Sequence, residues 1–340
     1  MNETLRPSTL GEILDHTAQL YRHNFWLFAG TAAMPLVLIF GLMLVAIPAG
    51  IFAVPGIAGG SGDLTGAIRA VAFVVAFLVF LPVYLAVYVF AIAGITQAAV
   101  STHLGQKLTI RAALRSVSPR FWTYLWYLLL QGIMAGFVPA IAAGVIIGPL
   151  IYLIAQPGTG IAGSVALGFV AFLVGVAAIV VIVWLALSYS MGMAVCVVER
   201  KAAWESLMRA MKLSQGTRGR IFVLFLLVIV LSMAVSMFGY ILALMTGAAG
   251  AALGKGSTAA IVAMMVGLVL YAAIGIGGQI VLQPVSWIAL VLFYYDQRIR
   301  KEGFDIEWMM QQAGMTPPPF APSAGGGIVS APGVPPDTVP

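Results

Sequence analysis

The chain has 340 residues, of which 61% are hydrophobic and 8% are charged, and its formal net charge is +6. Soluble domains carry about 25% charged residues. This composition excludes a protein surrounded mainly by water, and hydrocarbon is the expected solvent.

The first predicted element in the chain is an amphipathic helix. Its apolar face is formed by residues at helical spacing: Leu10, Ile13, Leu14, Thr17 and Tyr21. Thr9 and Glu12 have the spacing of a capping box, which satisfies the first free amides of a helix. Segments that start near Thr109 and Ala203 have the same character. Two interpretations stay open for all three helices: a position among the lipid headgroups, or packing on the end of a helical bundle.

Six uncharged stretches are long enough to cross a bilayer, since about 20 apolar residues span its hydrocarbon core. They are predicted at 25–53, 70–100, 122–154, 162–197, 221–249 and 259–295. The predicted fold class is all-α: a polytopic membrane helical bundle of six transmembrane helices in three hairpins. An amphipathic cytoplasmic helix precedes each hairpin, and this order predicts a threefold internal repeat.

The basic residues are confined to one set of segments. All except Arg69 and Lys255 lie before span one, between spans two and three, between spans four and five, or after span six. Cytoplasmic loops retain Lys and Arg, so both termini are predicted in the cytoplasm. Basic segments of this kind attract anionic lipids to the same face of the membrane.

Span three carries small residues at a spacing of four, which places them on one helix face. They are Gly132, Gly136, Ala140, Gly144 and Gly148. Such a helix-packing face allows two helix backbones to approach closely, either within the chain or between two copies of it. Pro139 in the same span removes one backbone hydrogen bond, and it predicts a kink.

Polar residues at membrane depth form the candidate ligand site, a polar seam between spans three, five and six. Its members are Gln131, Ser232, Ser236, Tyr240, Gln279, Gln283 and Ser286. Glycines around Gly277, together with Pro284, favour unwinding of span six beside the seam. The same residues would also serve as interhelical hydrogen bonds without any ligand, and both interpretations stay open.

Residue types that carry catalysis or bind metals form no recognisable motif. The sequence has no phosphate-binding glycine loop, no His-Glu-x-x-His motif and no nucleophile elbow. His16, His23 and His103 lie at the predicted membrane margin without metal-ligand spacing. Cys196 is expected to be a small packing residue. We predict no catalytic residue, no cofactor and no metal.

Two segments follow span six. Residues 296–315 are rich in charge and predict a cytoplasmic helix, either solvated and internally paired or docked to a partner. Residues 316–340 are dominated by Pro, Gly, Ser and Ala, which is typical of a disordered tail. The predicted organisation is 1–24, 25–295, 296–315 and 316–340.

Two stretches carry a resemblance to a known family. One runs from Arg6 to Trp26 and contains Thr9-Leu10-Gly11-Glu12-Ile13-Leu14-Asp15, and the other runs from Tyr294 to Glu307. Both resemble the glycerophosphoryl diester phosphodiesterase membrane domain and its stand-alone bacterial relatives. The resemblance implies a bacterial inner-membrane location. The His-Arg and Glu-x-Asp pattern of the family's separate catalytic domain does not occur in the sequence, so no hydrolase activity is carried over.

These observations favour a non-enzymatic inner-membrane protein that organises or assists partner proteins in lipid or envelope processes. The alternative is a transporter or lipid-binding protein that uses the polar seam. An intramembrane lipid enzyme that depends on one of the histidines is a third hypothesis. No nucleic-acid partner is expected.

The predicted topology is testable by reporter fusions. Fusions in the segments around Arg115 and Arg209 should report the same side of the membrane, because both belong to the basic, cytoplasmic set. A fusion near Lys255 should report the other side. Arg115 and Arg209 on opposite sides would contradict the six-span arrangement.

Overall fold

The computed structural model of the chain describes residues 9–53, 64–106, 108–156, 158, 160–252, 254 and 257–302. Within these ranges the side chains of 43–53, 64–70, 72 and 73 are not described. The predictions on Arg6, Lys107, Lys255, the segment from Gly303 to 315 and the tail 316–340 therefore lie outside the described residues, as does the side chain of Arg69.

Every regular element in the described part of the chain is helical. The helices, numbered in chain order, are α1 (Leu10–His23), α2 (Phe25–Ala53), α3 (Leu64–His103), α4 (Ile110–Val117), α5 (Phe121–Gly132), α6 (Val138–Ile154), α7 (Ile161–Tyr189), α8 (Gly192–Val198), α9 (Ala203–Leu213), α10 (Arg218–Ala252) and α11 (Thr258–Glu302). Among the described residues, six helical segments are long and apolar enough to cross a membrane. Contacts pair α2 with α3, α6 with α7 and α10 with α11. The all-α polytopic helical bundle is confirmed.

The three amphipathic helices are α1, α4 and α9, and each packs its apolar face against the bundle. In α1 the capping box forms, because the Thr9 amide donates to the Glu12 carboxylate at 2.7 Å and the Glu12 amide donates to Thr9 Oγ1 at 3.3 Å. The buried residues Ile13 of α1, Ala113 of α4 and Leu207 of α9 mark the packed faces. Of the two interpretations left open, packing on the bundle is the one observed.

Exposed tryptophans lie at the start of α2 and α5, which follow the amphipathic helices α1 and α4. Trp26 at the start of α2 is 82% exposed, and Trp122 at the start of α5 is 70% exposed. Indole rings favour the boundary between hydrocarbon and water, where one side of the ring is apolar and its N–H reaches polar groups. The two rings therefore mark one membrane interface.

The C-terminal part of α11 is the centre of the fold. Every residue from Ile288 to Gln297 is at most 6% exposed. Helices α1, α2, α3 and α8 surround this stretch. Two of its residues are polar, and they are satisfied locally: Arg300 Nε donates to Asp296 Oδ2 at 2.9 Å, and Gln297 Nε2 donates to the same oxygen at 3.2 Å.

Helices α10 and α11 pack closely through glycines. A Cβ on Gly278 would lie 2.5 Å from Val235 Cγ1, and a Cβ on Gly250 would lie 3.0 Å from the Ala260 carbonyl oxygen. Small residues permit this approach of two backbones. Helix α11 is continuous and contains Pro284. The suggested unwinding of span six is therefore not observed: Gly278 packs on α10, whereas a Cβ on Gly275 or Gly277 would meet nothing within 4 Å.

The small-residue face predicted on span three is not packed within the described chain. A Cβ added to Gly132, Gly136, Gly144 or Gly148 meets nothing within 4 Å, and Ala140 is exposed. Helix α6 contacts α7 instead through other positions. The intramolecular use of this helix-packing face is wrong, and its use between two copies stays a prediction.

Span four, predicted as one helix over 162–197, consists of α7 and α8 with a break at Ser190–Met191. The Tyr127 hydroxyl reaches this break and donates to the Tyr189 carbonyl oxygen at 2.8 Å. The Tyr127 ring occupies the place beside Gly192, where a Cβ would lie 2.6 Å from Tyr127 Cε2. Glycine at position 192 is thus required by the tyrosine.

Replacing Gly192 by Ala should destabilise the protein, because Tyr127 is only 1% exposed and its hydroxyl is bonded to the Tyr189 carbonyl oxygen, so the ring cannot yield without losing that bond. Overpacking of this kind costs about 1–3 kcal/mol, and the unfolding temperature in detergent should fall by several degrees. Gly175→Ala is the matched control, since a Cβ on this α7 residue meets nothing within 4 Å. Equal unfolding temperatures for Gly192→Ala and the parent protein would refute the steric role of Gly192.

Candidate functional site

A cavity of about 700 Å³ lies among α3, α5, α7, α10 and α11. Ligand sites in proteins have volumes of roughly 300–1,000 Å³. The cavity is therefore large enough to hold a small molecule or part of a lipid.

One side of the cavity is shaped by a π-helical turn at Ile133–Phe137. Pro139 follows this turn; a proline has no N–H, and its ring clashes with the carbonyl group four residues earlier. The Val138 amide bonds to the Ile133 carbonyl oxygen, five residues earlier, which is π-helical spacing. Ala135 and Gly136 of the turn line the cavity. The kink predicted from Pro139 takes the form of this wider turn.

The side of the cavity between α7 and α10 is apolar. Phe222 and Ile229 of α10 line the cavity and are 45% and 52% exposed, and Val183 of α7 is 38% exposed. These two helices make few contacts with each other. One such contact places the Arg218 guanidinium 4.6 Å from the centre of the Trp184 ring. In a bilayer, the gap between α7 and α10 faces hydrocarbon.

Polar groups lie on the inner side of the cavity. They are contributed by Tyr88, Gln131, Ser190, Gln283, Ser286 and Trp287. The Ser190 and Ser286 hydroxyls donate to the backbone carbonyl oxygens of Leu187 and Gln283, at 2.9 and 3.1 Å. Gln283 Oε1 is buried, and no donor reaches it from the described residues. None of the residues described in the lining is charged.

The helical distance from the interfacial Trp122 gives the depth of one polar group, the Gln131 amide. Gln131 is nine residues beyond the interfacial Trp122, which at 1.5 Å per residue corresponds to about 14 Å along the helix. Half of the hydrocarbon core is about 15 Å thick. The amide of Gln131 is therefore close to the bilayer midplane.

The cavity contains only part of the predicted polar seam. Gln131, Gln283 and Ser286 line it together. The remaining four members are not in its lining: Ser232, Ser236, Tyr240 and Gln279. Tyr240 and Gln279 are exposed on the outside of the bundle. The predicted seam is therefore not one continuous site: three of its members meet in the cavity, and the other four lie outside its lining.

The sequence reasoning missed three polar residues of the lining: Tyr88, Ser190 and Trp287. Ser190 had a signal, because polar residues interrupt the apolar run of span four just before Gly192. Tyr88 had none, since it lies in an apolar stretch and only the packing of α3 brings it to the cavity. Trp287 had a signal in its position directly after Gln283 and Ser286.

A second polar cluster lies at the end of the bundle that carries the amphipathic helices. Arg209 Nε donates to Glu199 Oε1 at 2.6 Å, and Arg209 Nη2 donates to Glu302 Oε2 at 2.9 Å. The Tyr294 hydroxyl donates to Glu199 Oε1 at 3.0 Å, and Lys201 Nζ lies 2.9 Å from Glu199 Oε2. The cluster joins the loop after α8, helix α9 and the end of α11.

The electrostatics of this cluster centre on Glu199. Burial alone would raise its pKa, but hydrogen bonds from Arg209 and Lys201 outweigh burial and hold the pKa of Glu199 below its ordinary value. At the end of α11, Lys301 Nζ donates to three backbone carbonyl oxygens at the end of α9 and just after it. These contacts are internal to the chain. The described start of the charged segment, residues 296–302, is thus paired within the chain, but it is not solvated throughout, because Asp296 and Gln297 are buried.

Two of the three histidines meet at the same end of the bundle. The rings of His16 and His103 have centres 5.4 Å apart, and the Tyr295 ring lies 5.1 Å from His103. Among the described residues, no group of three His, Cys, Asp or Glu side chains is arranged to hold a metal ion.

Cys196 is buried, and its thiol points to the Lys201 carbonyl oxygen at 3.7 Å.

Comparison of the chain with protein-family models, with curated proteins and with solved structures finds no match. The resemblance to the glycerophosphoryl diester phosphodiesterase membrane domain therefore stays a prediction, and the cavity has to be interpreted from its own chemistry.

The lowered pKa of Glu199 predicts that stability depends on pH in acid. A carboxyl group whose pKa is lower in the folded state stabilises that state above its ordinary pKa, and the contribution is lost as pH falls through the lowered value. We expect the unfolding temperature of the parent protein to fall below about pH 4.5, the ordinary value. Glu199→Gln should show a lower unfolding temperature at neutral pH and a weaker decline in acid.

Glu205→Gln is the matched control for this prediction, because Glu205 lies on α9 with an exposed side chain. It should follow the parent protein across the pH range. An acid profile of Glu199→Gln identical to that of the parent protein would show that Glu199 does not stabilise the cluster.

Proposed function

We propose that this chain is a non-enzymatic, multi-pass protein of a bacterial inner membrane that binds a lipid in the cavity between α7 and α10. The observation that carries the proposal is the combination of an apolar, membrane-facing side with a polar inner side in one cavity of about 700 Å³. A molecule that matches both sides is amphiphilic.

The route of entry supports a lipid rather than a water-soluble solute. Apolar side chains on α7 and α10 border the gap and are exposed to the surroundings of the bundle. An acyl chain enters such a gap from the bilayer without losing contact with apolar groups, whereas a hydrated solute would lose its water. This reasoning favours the lipid-binding alternative over the organisation of partner proteins.

The orientation proposed for the protein places the amphipathic helices and the charged cluster in the cytoplasm. The basic residues Arg111, Arg115 and Arg220 lie at this end, and positive charge is retained on the cytoplasmic side. The repeated order of amphipathic helix and hairpin supports the proposed threefold internal repeat. Lipid binding by such a protein would serve lipid or envelope processes.

Photocrosslinking tests the proposed function. The purified protein in bilayer nanodiscs, doped with phospholipids and diacylglycerol that carry a diazirine on one acyl chain, should become labelled at Ala135. This residue is 7% exposed and lines the cavity, so bulk lipid around the bundle does not reach it. Phe172, which is 64% exposed, reports labelling by bulk lipid.

Two tryptophan variants provide the matched comparison. Ala186→Trp fills the cavity from α7 and should lower labelling of Ala135 severalfold relative to Phe172. Ala177→Trp lies nine residues earlier, on the opposite face of the same helix at 3.6 residues per turn, and should leave the ratio unchanged. Labelling confined to Phe172 and other outward residues would overturn the proposal.

A further inference from the structure

The uncharged lining restricts the kind of lipid that the cavity holds. From the geometry and depth of the polar groups, we infer that the ligand is a neutral lipid whose polar end carries a free hydroxyl group. This inference rests on the proposed function, and it names the chemical class of ligand for the same cavity.

The first step of the argument is charge. The nearest cation on α10 is Arg218, the first residue of the helix and one turn before the lining residue Phe222. Its guanidinium is stacked on Trp184, and its Nε is buried without a hydrogen-bond partner among the described residues, so Arg218 lies at the mouth of the cavity and not beside the two glutamines. The cavity itself offers amides, hydroxyls, a phenol and an indole as its polar groups. A phosphate group near the bilayer midplane would have no counterion there, and burial of an unpaired charge is strongly unfavourable.

The second step is hydrogen bonding. Gln283 Oε1 is buried without a donor, and the Ser286 hydroxyl already donates to the Gln283 backbone. A buried amide carbonyl that lacks a partner is destabilising in hydrocarbon, where water is not at hand. A terminal amide presents one acceptor and two donors, and it exposes either by rotation of its last bond. A ligand hydroxyl donates one hydrogen bond and accepts others, so it complements this amide in either orientation.

The third step is the position of the amides. Gln131 on α5 and Gln283 on α11 both line the cavity, and neighbouring lining residues are small: Gly132, Ala135 and Gly136. The polar end of a ligand therefore has room beside the amides, while its chains extend towards the apolar gap between α7 and α10. Lipids with one hydroxyl group, such as diacylglycerols and long-chain alcohols, combine a small uncharged polar end with long apolar chains.

A set of photoactivatable probes tests the inference, and each probe carries its diazirine on the chain carbons next to the polar end, so that the reactive group lies beside Ala135 when the polar end reaches the amides. The set comprises 1,2-diacylglycerol, its acetylated form without the free hydroxyl, and phosphatidic acid, together with a long-chain alcohol and its acetylated form, both bearing the same diazirine. In nanodiscs, diacylglycerol should label Ala135 about fivefold more than the acetylated form, which is the ratio expected from one net hydrogen bond. Phosphatidic acid should label Ala135 no more than the acetylated form does.

Variants of the two glutamines on α11 separate a specific contact from a general effect. Gln283→Leu should remove the advantage of diacylglycerol over its acetylated form, and Gln283→Asn, which keeps an amide, should retain part of it. Gln279→Leu is the matched control, because Gln279 lies one turn earlier on the same helix and outside the cavity lining. Unfolding temperatures of all variants show whether each is folded.

The possible results distinguish failure of the neutral, hydroxyl-bearing ligand from failure of the lipid-binding function itself. Equal labelling of Ala135 by all probes, or strongest labelling by phosphatidic acid, would overturn the neutral-hydroxyl ligand while the lipid-binding function survives. Absence of Ala135 labelling by every probe would overturn both. Stronger labelling by the long-chain alcohol than by its acetylated form would also support the inference, and its comparison with diacylglycerol would distinguish the two sources of the hydroxyl.

Discussion

The structure is organised around a stretch of α11 that is covered on every side. Residues 288–297 have no membrane-facing surface, because α1, α2, α3 and α8 enclose them. A fully enclosed helix demands that its neighbours supply apolar surface and that its few polar groups find partners within the protein. The amphipathic helices meet the first demand with their apolar faces. Arg300, which bonds to Asp296, meets part of the second.

The cavity arises where this enclosure ends. Towards the bilayer centre, α11 pairs closely with α10 through Gly278 and Gly250, so these two helices stay together. Across the cavity, the π-helical turn before Pro139 and the break between α7 and α8 interrupt the helices that would otherwise close on them. The result is a gap on the membrane side and unsatisfied polarity on the inner side. Both properties are those of a site for an amphiphile, and they arise without any charged residue in the described lining.

The sequence predicted the coarse architecture well because the relevant forces are local and periodic. Apolar length determines the six spans, and the capping box at Thr9 and Glu12 forms as its spacing requires. Contacts between distant helices were not predictable in the same way. Glycine patterns indicate that close packing occurs somewhere, but they do not identify the partner helix. The stripe on span three therefore predicts packing that is not observed, whereas Gly239, Gly250, Gly267 and Gly278 lie in close contact with neighbouring residues.

In the candidate site, too, local features were predictable from the sequence and contacts between helices were not. Gln131, Gln283 and Ser286 were recognised from their polarity at membrane depth, and they do meet. Gln279 looked equivalent to Gln283 in the sequence, yet four residues of helix carry it past the cavity to the exposed surface. How far the cavity extends along α11 depends on the neighbouring helices, and polarity alone does not reveal it. Tyr88 became visible as a lining residue only in the folded chain.

An experimental structure of the protein in a lipid nanodisc would test the central claim most directly. The account predicts elongated density between α7 and α10 that ends within hydrogen-bonding distance of the Gln283 amide. Helices α7 and α10 closed against each other, with no space beside Gln131 and Gln283, would contradict it.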